Sequence, residues 1–148
     1  MKKLIFAIFG VASYFIFFAT FLYLIAFMMN LPTLPRAINV GPEMEAGTAI
    51  AINIGLIALF GIQHSVMARP AFKAAWTKIV PEPVERSVYV LFSSVVLWLF
   101  FLYWAPMPAV IWQVENGMAV NAIWALFAAG WLTVLLSTFL ISHFELFG

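Results

Sequence analysis

A few groups able to move protons or grip anions interrupt an otherwise apolar chain, and most of them cluster in its middle. His64 closes an apolar run, and Arg69, Lys73, Lys78 and Arg86 follow it, with Glu85 beside Arg86. From Arg86, Tyr89 and Ser93 repeat at i+3 and i+7, which draws a polar stripe along one helical face. His143 and Glu145 lie at the end of the chain. An imidazole exchanges a proton near neutral pH, and a guanidinium holds an anion through paired hydrogen bonds. His64 and His143 could serve as two axial ligands of a haem iron. Two imidazoles and a carboxylate could hold a divalent metal. Neither spacing is a ligand motif, so no metal site is assigned. Plainer roles compete: His64 as a neutral hydrogen-bonding group against a neighbouring helix, and Lys73 and Lys78 as topology determinants beside lipid. An ionisable side chain inside a span is costly to bury, which places His64 ahead of the rest. Arg86, next to Glu85 at the head of the stripe, is expected in an ion pair or a ligand contact.

The elements that carry these groups follow from hydropathy. With 66% hydrophobic residues, 9% charged residues and a mean hydropathy of +1.07 across 148 residues, the chain is no water-soluble domain. Four continuous apolar runs, Leu4–Met29, Thr48–Met67, Ser87–Ala105 and Ala122–Ser142, are long enough to cross the hydrocarbon core, which takes about 20 helical residues. Period-2 alternation is absent, which argues against a barrel. Lys2 and Lys3 precede the first run as they would in a secretory leader. The run is too long for a leader and no small-residue cleavage motif follows, so a retained membrane helix is expected.

Lys and Arg near the span ends set the orientation. Lys2 and Lys3 precede the first span, Arg36 stands alone in the first gap, the second gap carries four basic residues and the third carries none. The pattern predicts both termini in the cytoplasm and suits a bacterial inner membrane. His64, the basic gap, Glu85, Arg86, His143 and Glu145 then reach one membrane surface.

Within the first span, Ser13 and Thr20 share a face, read as helix packing through small polar residues. In the second, Asn53 and His64 are eleven residues apart, close to three turns, and project from one face; Gln63 adds a polar group beside the imidazole. Arg69 precedes Pro70, which ends the helix there. Pro70–Val80 reads as a short interfacial helix, with Phe72, Trp76, Ile79 and Val80 toward lipid and Lys73, Thr77 and Lys78 on another side. The expected architecture is all-α: a polytopic membrane protein of one domain over residues 1–148, with four transmembrane helices plus a short interfacial helix.

Several chemistries are excluded. There is no Cys, so disulfides, thiolate catalysis by the protein and Cys-based metal sites are absent. A net charge of +1 with no basic tract gives no basis for nucleic-acid binding. There is no Asp, no glycine-rich phosphate loop, no G-x-S-x-G and no H-E-x-x-H.

The stretch HSVMARPAFKAAWTKIVPEPVERSVYVLFSS (His64–Ser94) is more specific. With SYFIFFATFLYLIAF in the first span, IWQVEN at Ile111–Asn116 and FLISHFELFG at Phe139–Gly148, it resembles the bacterial methanethiol S-methyltransferase family. That family looks like a branch of a wider group holding NnrU-type membrane proteins and isoprenylcysteine carboxyl methyltransferase relatives. The resemblance covers essentially the whole chain and keeps the order of all four blocks. It implies an integral membrane enzyme that moves a methyl group from S-adenosylmethionine to the small thiol methanethiol, giving dimethyl sulfide. The acceptor must attack as a thiolate, in line with the sulfonium methyl. On this resemblance His64, Arg86 and Glu85 are the expected catalytic groups, and Arg69, Tyr89, His143 and Glu145 are expected near the cofactor. Members of the family continue past the point matching Phe147 and Gly148, through a basic His/Pro-containing segment and further helices. In related membrane methyltransferases that later part supplies most of the cofactor site. The chain is therefore expected to be an N-terminal half that needs its continuation, or a partner chain, to bind S-adenosylmethionine well. Two other readings stand beside it: a haem-binding NnrU-like or isomerase-type protein with His64 as ligand, and a non-catalytic four-helix scaffold or subunit.

Overall fold

A computed structural model describes residues 2–140. Five helices follow one another: α1 (Lys2–Met28), α2 (Ala46–Met67), α3 (Pro70–Trp76), α4 (Glu82–Tyr103) and α5 (Gly117–Leu140). Among the described residues α1, α2, α4 and α5 are each long and apolar enough to cross a membrane. The all-α architecture with four candidate spans and one short helix is the one hydropathy predicts. The described residues up to Met107 form one compact unit, and those from Pro108 form a second.

In the first unit α4 is the central helix, packed against both α1 and α2. Heptad spacing makes the α1 contact. Ser13, Thr20 and Phe27 on α1, and Ser87, Ser94 and Phe101 on α4, each recur every seven residues, and all six are fully buried. Small side chains let two helices approach closely in lipid, where no hydrophobic force drives them together. Trp98 Nε1 donates to Thr20 Oγ1 at 3.0 Å, while Thr20 Oγ1 donates back to the Ile16 carbonyl at 2.7 Å. Higher up, Phe27 meets Phe100, Phe101 and Trp104, with ring centroids 5.2–6.2 Å apart. Contacts climb together along both helices, so α1 and α4 run parallel. The packing role expected for Ser13 and Thr20 is the one observed.

Helix α2 runs the other way. Asn53, near its start, meets Ala105 past the end of α4, whereas His64, near its end, meets Tyr89 and Ser93 near the start of α4. Asn53 and His64 do share a face, as their spacing predicts. The N-terminus of α2 is capped by the Glu45 carboxylate, which accepts from Gly47 N at 2.8 Å and Thr48 N at 2.9 Å.

Between α1 and α2 the chain stops and turns on Asn30, whose φ of 55° lies in the left-handed region that Asn tolerates. Leu31 N donates to Ala26 O and Asn30 N to Phe27 O, closing the helix end with paired bonds of the Schellman type. The loop is then pinned by Tyr23 Oη donating to Arg36 O at 2.9 Å and Trp104 Nε1 donating to Ile38 O at 3.0 Å.

Three boundaries differ from the sequence reading by four or five residues, one being the start of α5 at Gly117 rather than Ala122. Helix α4 begins at Glu82 rather than near Ser87, because Pro83 falls in its first turn, where no backbone N–H is needed. Helix α3 ends at Trp76 rather than Val80. In the second unit α5 opens with Asn116 Oδ1 accepting from Met118 N and Ala119 N.

Candidate functional site

The site is built where the end of α2, the short α3 and the start of α4 converge. Pro70, as the first residue of α3, forces Arg69 into an extended conformation (φ −74°, ψ 139°) and breaks the helix there. The break lets the chain fold back so that α4 begins beside the end of α2.

His64 projects from the last two turns of α2. Its ring stacks on Phe60, one turn back, with centroids 5.3 Å apart and planes at 24°. On the other side Tyr89 leans against it at 5.2 Å and 38°. The Tyr89 hydroxyl lies over the ring, 2.9 Å from Nδ1 and 3.0 Å from Nε2, and its donor or acceptor role depends on the tautomer. Ser93 Oγ lies 3.4 Å from Nδ1. Gln63 completes the group, its Nε2 donating to Met67 Sδ at 3.1 Å and Ser93 Oγ at 3.4 Å. Its Oε1 is buried with no hydrogen-bond partner, and so is Trp76 Nε1.

The α4 face turned to this cluster is Glu85–Tyr89–Ser93, spaced i, i+4, i+8. That corrects the stripe read from sequence, which began at Arg86. One residue step turns a helix by 100°, and Arg86 is carried round to the exposed side. Arg86 makes no described polar contact, and no ion pair between it and Glu85 is present among the described residues. Glu85 is 8% exposed and pairs instead with Lys73 of α3, Nζ to Oε2 4.0 Å. Lys73, assigned from sequence to topology alone, therefore has a structural partner.

Helix α3 also departs from a simple lipid-facing role. Phe72 and Trp76 stack on each other, and the Trp76 ring stands edge-on to Phe92 of α4 at 6.5 Å. Its aromatic side docks on the bundle, while Ile79 beyond it is 80% exposed.

Of the residues singled out by sequence, His64, Tyr89 and Ser93 are brought into contact and Glu85 lies on the same α4 face. Arg69 and Arg86 are exposed beside the cluster. His143 and Glu145 lie outside the described residues. Sequence reasoning missed Phe60; its signal was the i−4 spacing from His64, one turn away on the same face. Among the described residues no group of three His, Cys, Asp or Glu side chains could hold a metal ion.

Chemically, an exposed imidazole stacked against two aromatic rings and within hydrogen-bond distance of a phenol is a group able to exchange a proton. The fold defines a polytopic helical membrane protein with an imidazole–phenol pair between two antiparallel spans. Comparison with known proteins gives the family. The chain is 50% identical over 147 residues to methanethiol S-methyltransferase 1 of Bradyrhizobium diazoefficiens, covering 99% of this chain and 51% of that protein. It is 47% identical over 148 residues to the methanethiol S-methyltransferase of Mycobacterium tuberculosis, covering 100% and 60%. With that of Crocosphaera subtropica the identity is 46% over 141 residues, covering 95% and 55%. By this similarity the chain belongs to the methanethiol S-methyltransferase family, and it spans a little over half the length of these relatives. No family model matches the chain, and no solved structure matches it.

Proposed function

We propose that the chain forms the acceptor side of a membrane methyltransferase that converts methanethiol to dimethyl sulfide with S-adenosylmethionine as methyl donor. The observation that carries this reading is the His64–Tyr89 pair, an imidazole in the last turn of an apolar span and within hydrogen-bond distance of a phenol, in a chain so similar to proteins of that name. A thiol becomes an effective nucleophile on losing its proton. His64 is the acceptor of that proton, and the Tyr89 hydroxyl holds the ring in place. Phe60 stacks on the ring, and Arg86, exposed on the other side of α4, supplies positive charge at the membrane edge.

The bound donor would supply an electrophilic methyl group. The described residues do not compose a site for it. Among the described residues the one buried carboxylate, Glu85, pairs with Lys73 rather than facing a free ammonium site, and the exposed Arg69 and Arg86 have no described polar side-chain partner. Tyr89, expected beside the cofactor, is committed to His64 and belongs to the acceptor side. The donor's contacts are accordingly assigned to Arg69, to His143 and Glu145, and to a further polypeptide segment such as the relatives' additional length provides. The membrane is taken to be a bacterial inner membrane with both termini cytoplasmic.

The haem reading is disfavoured by geometry, since both imidazole nitrogens already face the Tyr89 hydroxyl. The test uses membranes bearing the chain alone, and membranes bearing it together with the unmatched segment of the Bradyrhizobium relative. Each is supplied with methanethiol and methyl-labelled S-adenosylmethionine. Labelled dimethyl sulfide in either preparation, abolished by His64→Ala, is expected. No product in both, with the chain inserted and folded, overturns the reading.

A further inference from the structure

Converting a thiol to a methyl thioether replaces S–H by S–CH3 and leaves one proton over. The donor sulfur keeps the electron pair of the bond it loses, so nothing is oxidised or reduced, and that proton must reach water. Tyr89 and Ser93 are the described polar groups that hydrogen-bond the His64 ring, and both belong to the α4 face that begins at Glu85. Glu85 is 8% exposed, and its carboxylate accepts no described hydrogen bond. Its one described partner is the Lys73 ammonium at 4.0 Å, too long for a direct hydrogen bond. A buried carboxylate with so little compensation is costly to keep charged. Its placement, one turn from Tyr89 toward the water-facing end of α4, gives that cost a use.

We infer that Glu85 is a positioning residue for proton release, coupling the His64–Tyr89 pair to the membrane surface through the Glu85–Tyr89–Ser93 face of α4. This rests on the acceptor-side reading above. His64 takes the thiol proton, and Tyr89 relays it by accepting from the imidazolium as its own hydroxyl proton moves on. The Glu85 carboxylate, one turn away on the same face, favours that movement through its charge, and the proton leaves to water at the edge where Lys73 stands. The other charged groups on the elements that meet at Glu85 are Glu82 and Arg86 on its own helix, and Arg69 and Lys78 flanking α3, all exposed. Among the described residues, Lys73 is the cation paired with it.

The first measurement needs no turnover. Diethyl pyrocarbonate acylates neutral imidazole, and mass spectrometry of the His64 peptide gives the pH of half-maximal modification in the intact chain. In Glu85→Gln that pH falls by about one unit, the scale of a single charge acting over one or two turns at intermediate dielectric. In Lys73→Gln it rises, and in Glu85→Asp it returns toward the parent value. An unchanged midpoint in both Glu85→Gln and Lys73→Gln overturns the inference, whether or not the chain transfers methyl groups. The second measurement is the pH–rate profile of dimethyl sulfide formation. Glu85→Gln lowers the maximum about tenfold and moves the acid limb to lower pH, and Glu85→Asp restores most of the rate. A parent-like profile in Glu85→Gln overturns the inference while leaving the methyltransferase reading intact. Absence of product from the parent chain, both alone and together with the relative's unmatched segment, overturns that reading and leaves the modification result to decide the coupling.

Discussion

Asn53 and Ala105 exchange two hydrogen bonds across the far end of the α2–α4 pair. Asn53 Nδ2 donates to the Ala105 carbonyl at 2.8 Å, and the Ala105 N–H donates to Oδ1 at 2.9 Å. Both residues are buried, 3% and 0% exposed. The clamp satisfies a backbone that has just left a helix in a place where water is scarce. It also fixes the register of α2, and so the height at which His64 meets Tyr89, some three turns away. Replacing Asn53 by Leu leaves the Ala105 N–H and C=O unpaired. Loss of about 1–3 kcal/mol is expected in reversible unfolding in mixed micelles. Dimethyl sulfide formation should fall with it, because the α2 register loosens. Unchanged stability in Asn53→Leu would remove the clamp from the account.

The cap of α2 makes a pH prediction. Backbone N–H groups of Gly47 and Thr48, and then the Thr48 hydroxyl, hold the Glu45 carboxyl below the ordinary Glu value. A carboxyl lowered on folding contributes stability that is complete above its unfolded value and is lost as pH falls through its folded value. The parent chain should therefore lose part of its stability on acidification below the usual Glu range. Glu45→Gln, titrated from pH 7 to pH 3 by thermal unfolding in detergent, should show a shallower loss. The group is fully exposed, so the effect is small and reduced by salt. A steeper loss in Glu45→Gln would contradict the cap.

Orientation is testable because the chain has no cysteine of its own. Thr33→Cys lies in the exposed loop before α2, and Lys78→Cys lies just after α3. In intact cells an impermeant maleimide is expected to label the first, and to label the second only after permeabilisation. The reverse pattern would invert the membrane and put the His64 end outside.

Much of this was legible because membranes impose simple rules. Hydropathy located every span to within a few residues, and the eleven-residue spacing of Asn53 and His64 placed them on one face. The seven-residue recurrence of Ser13 and Thr20 marked the packed side of α1. Other features depend on geometry that no single-helix pattern carries. Whether Glu85 or Arg86 turns inward depends on where α4 starts, and that is set by Pro83 acting as a helix opener rather than a breaker. The Lys73–Glu85 pair joins two elements across a tight turn, so charge spacing along the sequence pointed to Arg86 instead. Similarly, the aromatic side of α3 was amphipathic by pattern, but only the fold-back at Pro70 decides that Trp76 meets Phe92 rather than lipid.

The account stands or falls on whether His64 and Tyr89 act as one unit, and a double-mutant cycle on labelled dimethyl sulfide formation measures that directly. His64→Ala is expected to lower the rate by about a hundredfold or more, as loss of a general base does. Tyr89→Phe should cost about three- to tenfold, the worth of one hydrogen bond, and should cost nothing further once His64 is gone. Independent, multiplying losses from the two substitutions, or a His64→Ala chain as active as the parent, would contradict it.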